Sequence, residues 1–415
     1  MHDNLIVIVV DQLRADAVAA SHDASHPTAW TTPNIGALCR TGTRYANAFT
    51  AAPVCNPARH SMLTGLYPSQ HDVVTNRHTP VDGLRTIAHL AGDSGIETVC
   101  VGNNGWRGSY PDGFARTVGT SSFDETLGER AREVFAAENQ RHMRRTAGGP
   151  SPRGVEEYKG HFAAQHASSE LERLAASGSR FFLWCNIPEP HPPFRPPADT
   201  YRRALASMDG RPSGERTDRP SPYMRELSRE WDHLSEHEWL QLTAAYHGMV
   251  SLADRFVGMI VDTLAHTGLD ERTAVVLVAD HGEMLGEHGL MLKFNFRESA
   301  VRVPLVVSRP GGRATVSNRL TSGVDVFATA ADLLGLPAPG DVPGRSVLRE
   351  EPHDVVHSFL GDHEMVTDGR WKLVTYGDGS QELFDLDADP NELRNLIDAP
   401  EAAAHRQRLA AQNAP

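Results

Sequence analysis

Short runs of apolar residues alternate along the chain with longer segments in which apolar residues recur every three to four positions. The apolar runs predict buried strands at Leu5–Val10, Thr98–Gly102, Phe181–Ile187, Ala274–Ala279 and Val303–Ser308. The periodic segments predict helices at Asn34–Arg40, Pro57–Thr64, Thr86–Ser94, His161–Ser177, Glu236–His266 and Val324–Leu334. Strands that alternate with helices predict an α/β fold with a large mixed, mostly parallel sheet sandwiched by helices.

The pattern changes after Gly344. Short strands separated by turns are predicted at Asp354–Leu360, Glu364–Thr367, Trp371–Tyr376 and Glu382–Leu386, with a last helix from Pro400. We therefore predict a large domain over residues 1–344 and a small C-terminal α+β domain over 345–415, with Trp371 or its neighbours at the edge of a cleft. The segment Arg195–Pro222 is rich in Pro, Arg and Ser, and is interpreted as either a surface loop or a lid.

Composition narrows the class of protein. Hydrophobic residues make up 40% and charged residues 22% of 415 residues, which excludes a chain disordered throughout. The net charge of −13 argues against a general nucleic-acid binder, although a local basic cluster could still bind an anion. Apolar runs are far shorter than the roughly 20 residues of a membrane span, and the N-terminus resembles no signal peptide. Four cysteines without a CxxC pair favour a reduced, cytoplasmic protein.

Polar residues directly after the predicted strands are the first candidates for a site, because active sites of parallel sheets lie at the carboxyl ends of the strands. Asp11 and Gln12 follow the first strand, and Asp280 and His281 follow Ala274–Ala279. A second candidate is Cys55–Asn56–Pro57–Ala58–Arg59, in which Pro57 fits the first turn of a helix. A cysteine at a helix start is usually a small buried residue. The pair of Cys55 and Arg59 alone is therefore weak evidence for a thiolate nucleophile.

The wider pattern is more specific. Cys55-x-Pro-x-Arg followed by Leu63–Thr64–Gly65 resembles the signature of the type I sulfatases, within the alkaline-phosphatase-like superfamily. Further segments resemble the family's motifs in its order: Asp11–Gln12, Glu189–Phe194, Tyr246–Val250, Asp280–Leu290, Lys293, Arg302–Leu305, Glu382–Leu386 and Asp389–Pro390. Several independent motifs in the correct order make the resemblance strong.

The resemblance implies that a maturase oxidises Cys55 to formylglycine. Its hydrate would offer one hydroxyl to attack sulfur and a second whose deprotonation releases sulfate. The implied metal ligands are Asp11, Gln12, Cys55, Asp280 and His281. Gln12 and His281 stand where many relatives have acidic or Asn ligands, a pattern similar to the choline-sulfatase and phosphonate monoester hydrolase branches. Calcium is the first choice for the divalent metal, and manganese is the alternative because of the imidazole.

The family's remaining roles map onto other positions. By resemblance, Arg59 holds the formylglycine, Lys293 binds an ester oxygen, and His191 contacts sulfate and protonates the leaving group. Asn76 matches a position that contacts the ester. The chain departs from the family at Gly102–Asn103–Asn104–Gly105–Trp106–Arg107, where a Lys and a His are absent.

This departure allows two interpretations. Asn104 and Arg107 are candidate substrate-binding residues, or the segment is a structural turn in which Trp106 packs against the core. Glu283 and Glu287 are interpreted as a possible carboxylate pair, although solvated helix acids are commoner. His247 and His288 are interpreted as structural.

The expected function is hydrolysis of a small anionic ester, first a small organic sulfate monoester. The alternative is a phosphonate monoester or phosphodiester hydrolase that uses the same site. A third hypothesis is a catalytically silent binding protein in which Cys55 stays a thiol. The sequence indicates neither which alcohol is released nor the oligomeric state.

Overall fold

The computed structural model describes residues 4–19, 32–106, 112–119, 123–143, 148–208, 210–337 and 340–412. Eight strands form the main sheet in the order β4-β3-β5-β1-β6-β7-β2-β8. Their bounds are β1 Asn4–Val10, β2 Gly42–Phe49, β3 Glu97–Val101, β4 Arg116–Val118, β5 Phe181–Ile187, β6 Thr273–Ala279, β7 Leu305–Ser308 and β8 Thr315–Ser322. Only β7 runs antiparallel to its neighbours in this sheet. The predicted fold class, a mixed and mostly parallel sheet covered by helices, is confirmed.

The central strands of the sheet could be predicted from the sequence because they are completely buried. Every residue of β1, β5 and β6 is buried, so these strands appear in the sequence as unbroken apolar runs. The polar strands β2 and β8 were not predicted, because they lie at one side of the sheet and are only partly buried. In the register between β1 and β6, Val10 pairs with Ala279. The residues that follow these two strands therefore emerge side by side.

Two groups of helices pack on this sheet. The bounds are α1 Ala15–Ala19, α2 Pro33–Arg40, α3 Cys55–Thr64, α4 Pro68–His71, α5 Ile87–Asp93, α6 Phe123–Thr126, α7 Glu129–Met143, α8 Lys159–Ser177, α9 Ala198–Ala206, α10 Pro222–Arg229, α11 Glu236–His266, α12 Glu298–Val301, α13 Asp325–Leu334 and α14 Ala403–Ala410. The long α11 contacts α2, α8 and α9, whereas α13 contacts α3 and α5. None of the helices in the described ranges has the length and apolarity that a membrane crossing requires.

The C-terminal sheet is antiparallel. Its strands are β9 Val356–Leu360, β10 His363–Thr367, β11 Trp371–Thr375 and β12 Gln381–Asp385, in the order β12-β11-β10-β9. The expectation that Trp371 borders a cleft is wrong: its ring stacks on His405 of α14 at 4.0 Å and is buried. The turn between β9 and β10 instead approaches the large domain, where it shares a groove with Asn76 and Phe294.

The segment predicted as a free surface loop or a lid is largely built into the fold. Its first part forms α9, which packs on α11. Its last part is tied to the C-terminal region: Thr217 Oγ1 donates to the Glu392 carbonyl at 2.7 Å, and Ser221 N donates to Glu382 Oε1 at 2.7 Å. These contacts make residues 217–221 a strap that is tied to the C-terminal region, which contradicts the expectation of a mobile surface loop for this part of the segment.

Candidate active site

Three strand and helix ends bring four predicted site residues together. Asp11 follows β1, Asp280 and His281 follow β6, and Cys55 is the first residue of α3. All four side chains are buried, and one potential ligand atom from each lies within 4.8 Å of the others. The Cys55 Sγ atom is 3.2 Å from His281 Nε2 and 4.0 Å from Asp11 Oδ1. The parallel register of β1 and β6 is what places the two carboxylates at one point.

Arg59 holds these carboxylates in place from one helical turn beyond Cys55. Its Nη2 donates to Asp11 Oδ2 at 2.5 Å, its Nε to Asp280 Oδ2 at 3.0 Å, and its Nη1 to the Asn103 carbonyl at 2.7 Å. One oxygen of each carboxylate, Oδ2, therefore accepts a hydrogen bond from the guanidinium. The other oxygen, Oδ1, faces His281 Nε2, at 3.8 Å from Asp11 and 3.7 Å from Asp280. Such a fork is a geometry that arginine supplies and lysine does not.

The same atoms fit a divalent cation. His281 Nδ1 lies 3.0 Å from the Gly282 carbonyl, which can only accept, so Nδ1 carries a proton. Nε2 faces the cluster and, when it is deprotonated, can offer its lone pair to a cation. Burial raises the pKa of Asp11, and the nearby Asp280 and Cys55 raise it further. A cation between these groups would offset that cost. Two carboxylate oxygens and one imidazole nitrogen suit calcium or manganese.

Gln12 connects this cluster to Lys293. The Gln12 backbone has a positive φ of 67°, and its amide donates to Asp280 Oδ1 at 3.0 Å. Its side-chain oxygen accepts from Lys293 Nζ at 2.6 Å, and its side-chain amide donates to Glu283. In this arrangement the amide oxygen faces Lys293, and the assignment of Gln12 as a metal ligand stays a prediction.

Glu283 is a residue that the sequence analysis named without giving it a role in the site. The segment directly after His281 is not helical, so Glu283 and Glu287 form neither the possible carboxylate pair nor the commoner solvated helix acids. Glu283 is fully buried and accepts from the backbone amides of Leu285 at 2.9 Å and Leu292 at 2.6 Å. Glu287 instead pairs with Arg14 at 2.6 Å. The available signal was the position of Glu283, two residues beyond His281 in a glycine-containing turn.

Electrostatics distinguish Cys55 from other cysteines. Burial would raise its pKa, but Lys293, His281 and a hydrogen bond from His191 together hold the pKa of the Cys55 thiol well below its ordinary value. By contrast, burial raises the pKa of Cys185 to about 12. The position of Cys55 is therefore one where negative charge is stabilised, as a nucleophile or a bound anion requires.

The predicted substrate-binding residues are placed differently from one another. Asn76 lies beside the start of α3, where its Oδ1 accepts from the Asn56 amide at 3.0 Å. Asn104 donates from Nδ2 to Asp112 at 2.7 Å and accepts from the Trp106 amide at 2.9 Å. These bonds favour the structural-turn interpretation for Asn104. Arg107 lies outside the described residues.

Two neighbours of Asn104 in this turn, Trp106 and Asn103, have different surroundings. The Trp106 ring stacks on His60 at 4.7 Å, as the structural-turn interpretation expects of a packing residue. Among the described residues of this turn, Asn103, which the substrate-binding interpretation did not include, borders the site. The departure from the family pattern therefore faces the site through Asn103.

A cavity of about 500 Å³ opens beside the cluster, over the carboxyl ends of β3, β5 and β1. Four residues of the site border it: Asp11, Arg59, Asn103 and His191. The rest of its lining combines polar and charged side chains with apolar ones: Asp124, Asn139, Arg153, Lys159, Asn186, Glu189, Phe135, Tyr158, Pro188, Pro192, Pro193 and Met249. Its volume falls within the roughly 300–1,000 Å³ typical of small-molecule sites.

A buried nucleophile position, two strand-end carboxylates and flanking cations on a mostly parallel sheet define a hydrolase of the alkaline-phosphatase-like type. The family comparison is specific. Residues 3–336 match the sulfatase family, and residues 286–414 match the C-terminal region of N-sulphoglucosamine sulphohydrolase. The chain belongs to the sulfatase family and is a sulfuric ester hydrolase.

Known proteins are similar over nearly the whole chain. A choline-sulfatase of Rhizobium meliloti (strain 1021) is 28% identical, over 98% of this chain and 85% of the relative. An arylsulfatase of Clostridium perfringens is 25% identical, over 97% of this chain and 91% of the relative. The solved phosphonate monoester hydrolase of Agrobacterium radiobacter has a TM-score of 0.78 at 22% identity, covering 98% of this chain and 94% of its own. The last likeness concerns the fold alone.

Proposed function

We propose that the protein hydrolyses sulfate monoesters of small organic alcohols, with Cys55 converted to formylglycine by a maturase and one divalent metal at Asp11, Asp280 and His281. The observation that carries this proposal is the position of Cys55 Sγ, 3.2 Å from His281 Nε2 and within the field of Lys293. We further propose a cytoplasmic location, which would suit the reduced cysteines.

Different side chains of the site have different roles in the proposed hydrolysis. Formylglycine would supply a diol nucleophile, and the metal would lower its pKa and polarise the ester. Lys293, held by Gln12, stabilises negative charge on the ester oxygens. His191 is near enough to Cys55 for a hydrogen bond and can give a proton to the departing alcohol oxygen. Arg59 keeps the two carboxylates in position and borders the cavity.

A second candidate is phosphonate monoester or phosphodiester hydrolysis at the same site. It is favoured by Gln12 and His281 in the metal region and by Asn103 at the cavity edge, where the family pattern has a lysine. Loss of that positive charge weakens the case for a strictly sulfate-selective site. The silent-binding hypothesis is disfavoured, because the buried Cys55 cluster is complete and Cys55 is electrostatically activated.

The test combines mass spectrometry with kinetics. The protein is co-expressed with a formylglycine-generating maturase, and the peptide that contains Cys55 is analysed for the aldehyde. Rates are then measured on 4-nitrophenyl sulfate and on the 4-nitrophenyl ester of phenylphosphonate. Aldehyde formation with a higher kcat/KM for the sulfate supports the proposal, and the opposite preference supports the phosphonate alternative.

Cys55→Ala serves as the control. It should abolish turnover of both esters, because no nucleophile remains, while the fold persists. Retained turnover in this variant would show that Cys55 is not the nucleophile. A protein whose Cys55 stays a thiol under these conditions, and which hydrolyses neither ester, would favour the silent-binding hypothesis.

A further inference from the structure

We propose that Tyr246 is a positioning residue for the hydrolysis and acts through Gln12. Its hydroxyl holds the turn at Gln12 in the conformation that brings the Gln12 side chain to Lys293. This inference deepens the proposed function and rests on it, because Lys293 stabilises the ester oxygens only from a fixed position. Tyr246 is a fully buried residue of α11, so its hydroxyl acts through its hydrogen bonds to this turn.

The backbone conformation at Gln12 is the first argument. Gln12 follows Asp11 directly after β1, and its φ of 67° lies in the left-handed region, which is unfavourable for a glutamine. Such conformations persist only where the surrounding structure holds them, and they concentrate at functional sites. The turn at Gln12 therefore needs partners that outweigh its strain.

The Tyr246 hydroxyl provides two hydrogen bonds to this turn. It donates to the Gln12 carbonyl at 2.9 Å and accepts from the Arg14 amide at 2.9 Å, so a single oxygen atom joins both ends of the turn. All three residues are buried. Removing the hydroxyl would therefore leave a buried carbonyl and a buried amide without this partner, and the turn would no longer be held.

The conformation that the hydroxyl holds is the one that serves the site. In this conformation Gln12 N donates to Asp280 Oδ1 at 3.0 Å, and the Gln12 side chain extends between Lys293 and Glu283. A change of φ at Gln12 would move its backbone amide away from Asp280 and its side chain away from Lys293. The ammonium would then lose the acceptor that holds it at 2.6 Å.

The Tyr246 ring has a separate contact, with the segment that carries His191. Its centre lies 5.4 Å from that of Phe194, three residues beyond His191, in an edge-to-face arrangement. Tyr246 thus contacts two segments of the site, one through its ring and the other through its hydroxyl. Because Tyr246→Phe keeps the ring and removes only the hydroxyl, this variant isolates the proposed role.

A double-mutant cycle tests the inference on the processed, metal-loaded enzyme with 4-nitrophenyl sulfate. Tyr246→Phe should lower kcat/KM roughly tenfold or more, as the loss of a residue that orients a site typically does. In Gln12→Gly the left-handed turn forms without strain, and no side chain remains to be positioned. Tyr246→Phe should therefore cost less than about threefold in the Gln12→Gly background.

Tyr45→Phe is the matched control. The Tyr45 hydroxyl is also buried and also donates to a backbone carbonyl, that of Val347 at 3.1 Å, but it belongs to β2 and to neither the cluster nor the cavity. Both single variants should lower the urea midpoint, whereas only Tyr246→Phe should lower kcat/KM. An unchanged kcat/KM in Tyr246→Phe, or an equal loss with and without Gln12→Gly, would overturn the inference.

The comparison in the Gln12→Gly background also covers a Tyr246→Phe protein that does not fold. The double variant is then compared with Gln12→Gly alone. A loss of kcat/KM below about threefold supports the inference, and a larger loss overturns it.

Failure of the proposed function is recognised separately, by absent turnover of 4-nitrophenyl sulfate. If the phosphonate ester is hydrolysed instead, the same cycle is run with that ester. If neither is hydrolysed, the affinity for Mn²⁺, measured by electron paramagnetic resonance, replaces kcat/KM, because Gln12 N holds the Asp280 oxygen that faces the metal region. Weaker binding in Tyr246→Phe than in Tyr45→Phe then supports the inference, and equal binding overturns it.

Discussion

Glu283 shows how one buried carboxylate organises other side chains of the candidate site. It accepts from Gln12, whose side-chain oxygen in turn accepts from Lys293, so the carboxylate decides which way the Gln12 amide points. In Glu283→Gln an NH₂ group would face donors, and a buried bond is lost at about 1–3 kcal/mol. We expect kcat/KM to fall by roughly tenfold or more, with a lower urea midpoint. Glu271→Gln, at an exposed position, should change neither; a fully active Glu283→Gln would exclude this role.

Asp280 provides the sharpest test of the metal site. One of its oxygens accepts from Arg59 and the other from the amides of Gln12 and His281, so Asp280→Asn removes charge while it keeps the shape. We expect metal content, measured by inductively coupled plasma mass spectrometry, and activity to fall together. Asp93→Asn, on the surface, is the control. An Asp280→Asn protein with full metal content would show that this carboxylate is not a ligand.

Glu189 predicts a pH dependence of stability. Its folded pKa of about 7 lies above the ordinary value of 4.5, so the folded state binds the proton more tightly than the unfolded state. Its contribution to stability is full below pH 4.5 and is lost as the pH rises through 7. At about 1.4 kcal/mol per pKa unit, this amounts to about 3 kcal/mol.

Glutamine does not titrate, so Glu189→Gln should gain stability relative to the unsubstituted protein between pH 5 and pH 8. Urea unfolding of both proteins at the two pH values measures the change. A difference in unfolding free energy that is the same at both values would contradict the raised pKa.

At the level of elements, a buried ion network joins β11 and β12 to the segment that carries Lys293. Lys372 is fully buried in β11 and contacts Glu298 at 2.8 Å, Glu392 at 2.6 Å and the Phe296 carbonyl at 2.9 Å. The neighbouring Arg297 pairs with Glu382 of β12 at 2.9 Å. The C-terminal sheet thus helps to fix the loop that positions Lys293.

Removing one member of this network should lower the free energy of unfolding. Lys372→Met leaves Glu298 with Arg302 as its remaining cation and Glu392 with Arg297 at 3.8 Å. Loss of one partner of a buried pair costs about 3–5 kcal/mol. We expect a loss of up to this size in urea unfolding, partly recovered in Lys372→Met/Glu392→Gln because one under-compensated charge is removed. Arg408→Met, which breaks an exposed pair with Asp368, should cost less than about 1 kcal/mol. Equal losses in Lys372→Met and Arg408→Met would contradict the network's importance.

At the level of the whole molecule, the two sheets share a hydrophobic core. One cluster joins Phe49, Met284, Leu290, Phe296 and Leu320 of the large domain to Val356, Met365, Val374 and Tyr376 of the C-terminal sheet. We therefore expect a chain that ends at residue 344 to expose this apolar surface and to bind the dye ANS strongly, with little soluble monomer. A truncated protein that unfolds cooperatively with an unchanged midpoint would establish residues 1–344 as an independent folding unit.

The sequence by itself determined the parts of this protein that depend on local pattern. Fully buried central strands appear as apolar runs, and strand-end polar residues such as Asp11 and Asp280 follow them directly. Helices with one apolar face, such as α11, keep their period, and its capping residue Ser235 marks its start. The Cys55–Arg59 spacing likewise survives because both residues lie on the same short helix.

Tertiary structure decided what depends on burial and on partners far apart in the chain. Glu283 and Glu287 are both glutamates and stand four residues apart. Glu283 is buried against Gln12, whereas Glu287 pairs with Arg14. The free energy of an ionisable side chain depends on its solvent exposure and its partners, which local pattern does not encode. For the same reason the sequence indicated neither the strap at residues 217–221 nor the cavity beside the cluster, since each forms only when distant segments pack together.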